Sequence, residues 1–336
     1  MDMLAIDDLD RRIIHALHLD GRAPLATIAQ VAGSSTPTVA RRYARLRAGG
    51  GLRVIARTDT PYARQQQWIV RITAAASSAA AIGRALARRS DTSWVRLTSG
   101  GTEIAAIITT TPGSRDANAL LLRDVPRTSG ITAVSAHYLL HTYRGGPTTW
   151  PGRLAALAPE QCEKLLPPAA TGQQGRRATP DDSDRPLLAA LAVDGRASQA
   201  ELARATGWSA STVARRIAAL RASGALYLDL EIDDAVYGIR VVTMLWMSVI
   251  PGHLNNVGEA LAEHDELAFV SATTGPTNLL ALALCPDPEA LHRYLTHRLA
   301  ALDAITGIET SPVLTTLKAA GPLEGTLPRV LTRSPA

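Results

Sequence analysis

The chain has 336 residues, 46% of them apolar, and its 35 Lys plus Arg against 30 Asp plus Glu give a formal charge of +5. That length and apolar content exclude a disordered or fibrous chain and predict two or more domains with buried cores. Two cysteines, Cys162 and Cys285, exclude a disulfide framework or a cysteine-rich metal site, so no metal and no cofactor are expected. The acidic start MDMLAIDDLDRR holds no apolar leader and no run approaches ~20 apolar residues, so the expectation is a cytoplasmic protein.

Leu9, Ile13, Ile14 and Leu17 share one helical face and predict a first helix over Leu9 to Leu19; a second, shorter one runs from Leu25 to Ala32. Ser35 is a good N-cap for a third helix that continues to Gly50, with Val39, Tyr43 and Leu46 facing inward. Its opposite face is small, polar and cationic. Ser35, Thr36 and Thr38 allow close approach and hydroxyl contacts, and Arg41, Arg42, Arg45 and Arg47 suit phosphate or guanine, as a recognition helix in a major groove requires. The strand RVIARTD that follows reads as a small wing carrying Arg53 to the DNA backbone. Residues 4–60 are therefore a winged helix-turn-helix, with nine Arg against five Asp between Ala5 and Thr60.

Over 65–145 the order is strand (WIVRIT), helix, strand (TSWVRLT), strand (EIAAIITTT), helix (SRDANALLLRDV), strand (ITAVSAHYLLHTY). This βαββαβ order is ferredoxin-like and leaves one sheet face without helices, which needs a partner. Residues 146–180 are rich in Gly, Pro, Thr and Gln and read as a linker in which only PEQCEKLL is helical.

The whole pattern then repeats at an offset of about 174 residues. Residues 181–235 form a second winged helix-turn-helix, in which Ser209, Ser211, Thr212, Arg215, Arg216 and Arg221 occupy the recognition-helix face, and 239–320 a second ferredoxin-like domain. The second wing, YLDLEIDD, reverses the charge of the first: Arg53 and Arg57 become Tyr227 and Glu231, and Arg45 becomes Ala219. The first helix-turn-helix is thus expected to supply most of the DNA affinity. The fold class is α+β, two winged helix-turn-helix domains alternating with two ferredoxin-like domains.

The segments LDRRIIHALHLDGRAPLATIA and STPTVARRYARLRAGGGL, with the sheet turns LTSGGTEI and ATTGPTNL, resemble the Lrp/AsnC family of prokaryotic transcription regulators, here in a form like a fused dimer. The resemblance implies sequence-specific binding of double-stranded DNA, pairing of the sheets, and further association of fused chains into a homodimer or larger. It also implies a small-molecule effector, amino-acid-like, bound near the turns Thr98, Ser99, Gly100, Gly101, Thr102, Glu103 and Thr274, Gly275, Pro276, Thr277, Asn278. Glu103 could meet an ammonium group, whereas Asn278 offers only neutral donors and acceptors. The competing reading is an enzyme resembling siroheme decarboxylases, built on the same fused units. His137 and His141 on one strand are its only support, and no catalytic residue is assigned.

Overall fold

The computed structural model describes residues 5–59, 65–112, 123–125, 127–146, 156–166 and 178–323. Helices α1 (Asp8–Leu19), α2 (Leu25–Ala32) and α3 (Thr36–Gly50) form the first helix-turn-helix. Asp7 and Asp10 make a reciprocal capping box on α1, and Ser35 accepts from the Thr38 N–H. The helix expected from SRDANALLLRDV, the hinge at Pro61 and most of the linker fall outside the described residues. Of the linker, Leu157 and Leu165 pack into the core of the first helix-turn-helix on either side of α5 (Pro159–Glu163), and Gln161 donates to the Val31 carbonyl at 2.7 Å.

The strand β1 (Arg53–Thr58) is not a free wing. It pairs antiparallel with β6 (Leu226–Glu231), which follows α6 (Arg185–Val193), α7 (Gln199–Thr206) and α8 (Ala210–Ala222) in the second unit. Val54 packs into the first helical core beside Leu230, while Ala56 packs into the second beside Leu226. Each strand alone would leave its apolar face in water, and pairing satisfies both its backbone and that face.

The two ferredoxin-like halves form one closed eight-stranded barrel. The first supplies β2 (Gln66–Ala74), α4 (Ala76–Ala87), β3 (Thr92–Thr98), β4 (Glu103–Thr110) and β5 (Ile131–Arg144). The second supplies β7 (Val241–Val249), α9 (Leu254–Ala262), β8 (Leu267–Thr273), β9 (Leu279–Cys285), α10 (Pro288–Arg293), which runs on as a π-turn, and β10 (Ile305–Lys318). Both last strands have 14 residues, longer than the strands they join. Ile131–Tyr138 of β5 pair with β2 and Leu139–Arg144 with β8; reciprocally, β10 pairs with β7 and then with β3. The helix-free faces meet inside, where Ile69, Ala105 and Ile107 pack with Met244, Trp246 and Leu280. The expected pairing of sheets therefore occurs within the chain, through shared strands as well as apposed faces.

The strand ends are received by glycines in the other half's helix. A Cβ on Gly258 of α9 would lie 2.3 Å from the Tyr143 ring of β5, and one on Gly83 of α4 would lie 2.6 Å from Leu317 of β10. Replacing a helical glycine by Ala ordinarily gains up to ~1 kcal/mol in propensity. Here Gly258→Ala is expected to destabilise by about 1–3 kcal/mol through overpacking, and the loss should vanish when Tyr143→Ala is introduced as well. Urea unfolding of the single and double variants checks this; a neutral or stabilising Gly258→Ala would show that the strand end does not bear on the helix.

Candidate nucleic-acid interface and effector turns

Asp10 lies on the same face of α1 as Ile13, Ile14 and Leu17 and is fully buried; Asp184 is its buried counterpart. Asp10 takes Arg42 at 3.2 Å and also Arg45, while Asp184 takes Arg216 at 2.5 and 2.7 Å. These acids hold the recognition helices α3 and α8 against the first helix of each unit. An acid recurring on an apolar helical face in both repeats was a readable signal for this clamp, and reading the arginines only as a DNA-facing surface missed it.

Four reciprocal contacts join the two helix-turn-helix units. Arg22 donates to the carbonyls of Gly195 and Ala197 at 2.6 and 3.1 Å, and Arg196 donates to those of Gly21 and Ala23 at 2.6 and 3.0 Å. Arg221 pairs with Asp20 at 2.8 Å, and Arg47 approaches Asp194 at 3.8 Å. Tyr43 also lies under the Arg196 guanidinium, 5.3 Å from ring centroid to Cζ. The contacts repeat with the halves exchanged, so α3 and α8 are related by a pseudo-twofold axis, the arrangement that matches duplex half-sites.

The expected DNA-contacting residues are thereby sorted. Ser35, Thr36, Arg41, Ser209, Ser211 and Arg215 are exposed, with Thr38 and Thr212 partly so, at the N-terminal halves of α3 and α8. Among the described residues neither Arg41 nor Arg215 has an ion-pair or hydrogen-bond partner. Arg42, Arg216 and Arg221 are held by acids, and Arg45 and Arg47 keep exposed surface beside theirs. Arg53 is withdrawn: Glu231 takes its guanidinium, and it donates to the Pro322 carbonyl at 2.9 Å. Of the reversed wing residues, Arg53 stands opposite Glu231 and is neutralised by it across the ribbon, whereas Arg57 stands opposite the uncharged Tyr227.

The two sheet turns differ. In the first, Ser99, Gly100 and Gly101 take left-handed backbone, and a Cβ on Gly100 would meet nothing within 4 Å. Thr98 is buried and donates to Glu103 at 3.1 Å, and Thr102 donates back to the Ser99 carbonyl at 3.3 Å. Glu103 is held by Arg71 at 2.9 and 3.3 Å; Arg71 also reaches Glu309 and lies 4.4 Å from the Trp246 ring centroid. Burial works against the charge on Arg71, but its hydrogen bonds to Glu309 and Glu103 outweigh this and hold its pKa above the ordinary value. In the second turn the His137 ring lies 2.4 Å from where a Gly275 Cβ would be, and the Pro276 carbonyl accepts from Ser248 at 3.2 Å. Thr277 accepts from Thr273 through its carbonyl at 2.9 Å, and Thr274 accepts from the Tyr138 N–H at 3.0 Å. Asn278 spends its amide on the backbone of Val249, both bonds at 2.8 Å. Both turns expose two residues, Ser99 with Gly100 and Gly275 with Pro276; the first carries charge beside open space, whereas the second is uncharged and backed by the His137 ring. His141 packs edge-on against Tyr143 at 4.6 Å between centroids, apart from the His137 contact with Gly275.

Among the described residues no helix is long and apolar enough to cross a membrane. The family description "AsnC-type helix-turn-helix domain" matches residues 6–47 and 181–221, and "Lrp/AsnC ligand binding domain" matches 243–323. An uncharacterized HTH-type transcriptional regulator of Pyrococcus horikoshii is 28% identical over 149 residues, 44% of this chain and 94% of the relative. An HTH-type transcriptional regulator of Methanocaldococcus jannaschii is 28% identical over 139 residues, 41% of this chain and 94% of the relative. Nearly a whole relative thus spans less than half of this chain, as two fused units require. The crystal structure of the siroheme decarboxylase NirDL superposes with a TM-score of 0.60 at 11% identity, covering 94% of this chain and 93% of that one, a likeness of fold.

Two histidines of α1 make the helix-turn-helix pair sensitive to acid. His18 meets the Tyr237 hydroxyl at 3.2 Å in the turn that leads into β7, and burial, with the neighbouring His15, pulls its pKa from 6.5 to about 4. His15 accepts the Leu157 N–H through Nδ1 at 3.2 Å, which requires that nitrogen to be unprotonated. The folded state favours neutral His18, so this stability is complete above pH 6.5 and is lost as the pH falls from 6.5 toward 4, by about 1–3 kcal/mol after allowing for partial exposure. Urea unfolding at pH 7 and 4.5 should show the drop in wild type and a smaller one in His18→Gln; equal drops would exclude His18 as its source.

Proposed function

Because this chain belongs to the Lrp/AsnC family, as a tandem of two of its units, we propose that its two recognition helices read one pseudo-palindromic DNA site together. The observation that carries this reading is the reciprocal clamp of Arg22 and Arg196, which relates α3 and α8 by a twofold; among the described residues Arg41 and Arg215 on those helices have no ion-pair or hydrogen-bond partner. Arg41 and Arg215 reach base edges or phosphates; Thr38, Thr212, Ser35, Thr36, Ser209 and Ser211 contact the backbone near the helix N-termini. Arg45 and Arg47 add charge at the flank, while Arg42, Arg216 and Arg221 position the helices. Pairing of Arg53 with Glu231 removes one wing difference between the two half-sites, while Arg45, which has Ala219 as its counterpart, keeps the first half-site the more cationic.

The effector reading belongs to the first turn. Glu103, Glu309 and Arg71 gather charge beside the open Gly100, where an amino-acid-like molecule can exchange its own ammonium and carboxylate for theirs. The second turn is occupied by its own packing. Fused chains then associate through β5 and β10, whose outer faces expose Val134 and Leu140 on one and Ile308 and Leu314 on the other, equivalent positions of the two repeats.

Fluorescence anisotropy with duplex from the region flanking the protein's own gene tests the DNA reading. Arg41→Ala and Arg215→Ala should each weaken specific binding by ~1–3 kcal/mol and reduce its salt dependence, whereas Arg53→Ala should leave the salt dependence unchanged. If both recognition-helix variants bind like wild type at every salt concentration, the docking is wrong. Sedimentation equilibrium tests the association: Leu140→Ser together with Leu314→Ser should reduce an oligomer to single chains, and an unaltered oligomer would place the contact elsewhere.

A further inference from the structure

Arg96 sits in the middle of β3 with 8% of its surface exposed. It pairs in register with Ala105, a member of the apolar barrel interior, and its guanidinium lies 4.8 Å from the Trp94 ring centroid. Among the described residues it makes no ion pair and no hydrogen bond, and its enclosed Nε has no acceptor. The other buried cations are provided for: Arg144 donates to the His264 and Leu267 carbonyls, and Lys318 to that of Arg89. Three residues earlier, opposite Ile107, the Ser93 hydroxyl is also buried and unpartnered.

A guanidinium holds its proton tightly, so enclosing one without an anion is strongly unfavourable. Burial pulls the Arg96 pKa down to about 10, and among the described residues the charge that works against this is Asp234, acting at longer range from the turn Asp234–Tyr237. The local backbone is also special. The β3 to β4 ladder breaks register between Ser93 and Arg96, and Trp94 within the break has φ of 51°. Such a bulge re-aims side chains at a local energetic cost. The second half keeps none of the set: Ala268, Phe269 and Ser271 stand at the equivalent positions, and Ser271 donates to the His141 carbonyl.

We propose that Arg96 and Ser93 form a binding site for a small oxyanion, a carboxylate or phosphate group, with the Trp94 indole as its apolar wall. The guanidinium fork matches two oxygens of such a group and the serine hydroxyl donates to one of them. In this site the Arg96 guanidinium also feels the charge of Asp234, in the turn that connects β6 of the helix-turn-helix ribbon to β7. An oxyanion there shares Arg96 with Asp234 and so bears on the segment joining barrel and DNA-binding units.

The test uses the full chain at constant ionic strength, titrated with sodium acetate in one arm and inorganic phosphate in the other, with thermal unfolding and tryptophan emission as readouts. At least one anion should raise the melting temperature saturably, by mass action on the folded state, and the arm that responds identifies the group. Arg96→Met should abolish the saturable response, and Ser93→Ala should raise the half-saturating concentration several-fold. Should Arg96→Met not fold, Ser93→Ala decides alone. The proposal is overturned if neither anion gives a saturable rise, if Arg96→Met responds like wild type, or if Ser93→Ala leaves half-saturation unchanged.

Discussion

Strands β5 and β10 each hydrogen-bond two sheets at once, and that sharing sets the relation of every other part. A ferredoxin-like sheet has one face without helices, and burying it contributes ~25 cal/mol for each Å² removed from water. Two sheets could meet that need by apposition alone and slide. Shared strands forbid sliding, because a register shift would break ladders in both sheets and drive Tyr143 and Leu317 out of the spaces left by Gly258 and Gly83.

The helix-turn-helix pair repeats this logic with charge as well as apolar packing. The ribbon of β1 and β6 joins two cores, and Arg53 opposite Glu231 shows what fusion permits. In a symmetric dimer of identical chains, position 53 and its counterpart would carry the same residue, with Arg facing the counterpart of Glu231 twice over or not at all. Within one chain the two copies can take complementary charges. The same freedom explains why Arg71, Glu103 and Arg96 have Trp246, Asn278 and Ser271 as counterparts: one half of the barrel became charged and the other apolar or self-satisfied. The N-terminal turns of the recognition helices escaped this divergence, keeping Ser35 with Ser209, Thr38 with Thr212 and Arg41 with Arg215, although Arg45 further along has Ala219 as its counterpart.

Much of this was legible from residues alone. The repeat, the order of elements, the caps at Ser35 and Ser209 and the strands TSWVRLT and ITAVSAHYLLHTY all follow from local rules: periodicity, capping and turn chemistry act within a few residues. Arg41 and Arg215 were also legible as exposed cations on a polar helical face, and so was the ambiguity of Asn278 beside Glu103.

What the tertiary structure decided was the partner of each polar group. Arg42, Arg45 and Arg53 read as surface charge because an arginine's reach of several ångströms exceeds anything spacing along a helix can resolve; only the fold brings Asp10 and Glu231 to them. A strand's period shows which face is apolar but not where its end crosses to another sheet, so the sharing by β5 and β10 was out of view. Arg96 is the limiting case. Its sequence neighbours announce an ordinary strand, and that its guanidinium lies buried with no acceptor among the described residues depends on the closure of a barrel whose other wall comes from more than a hundred residues away.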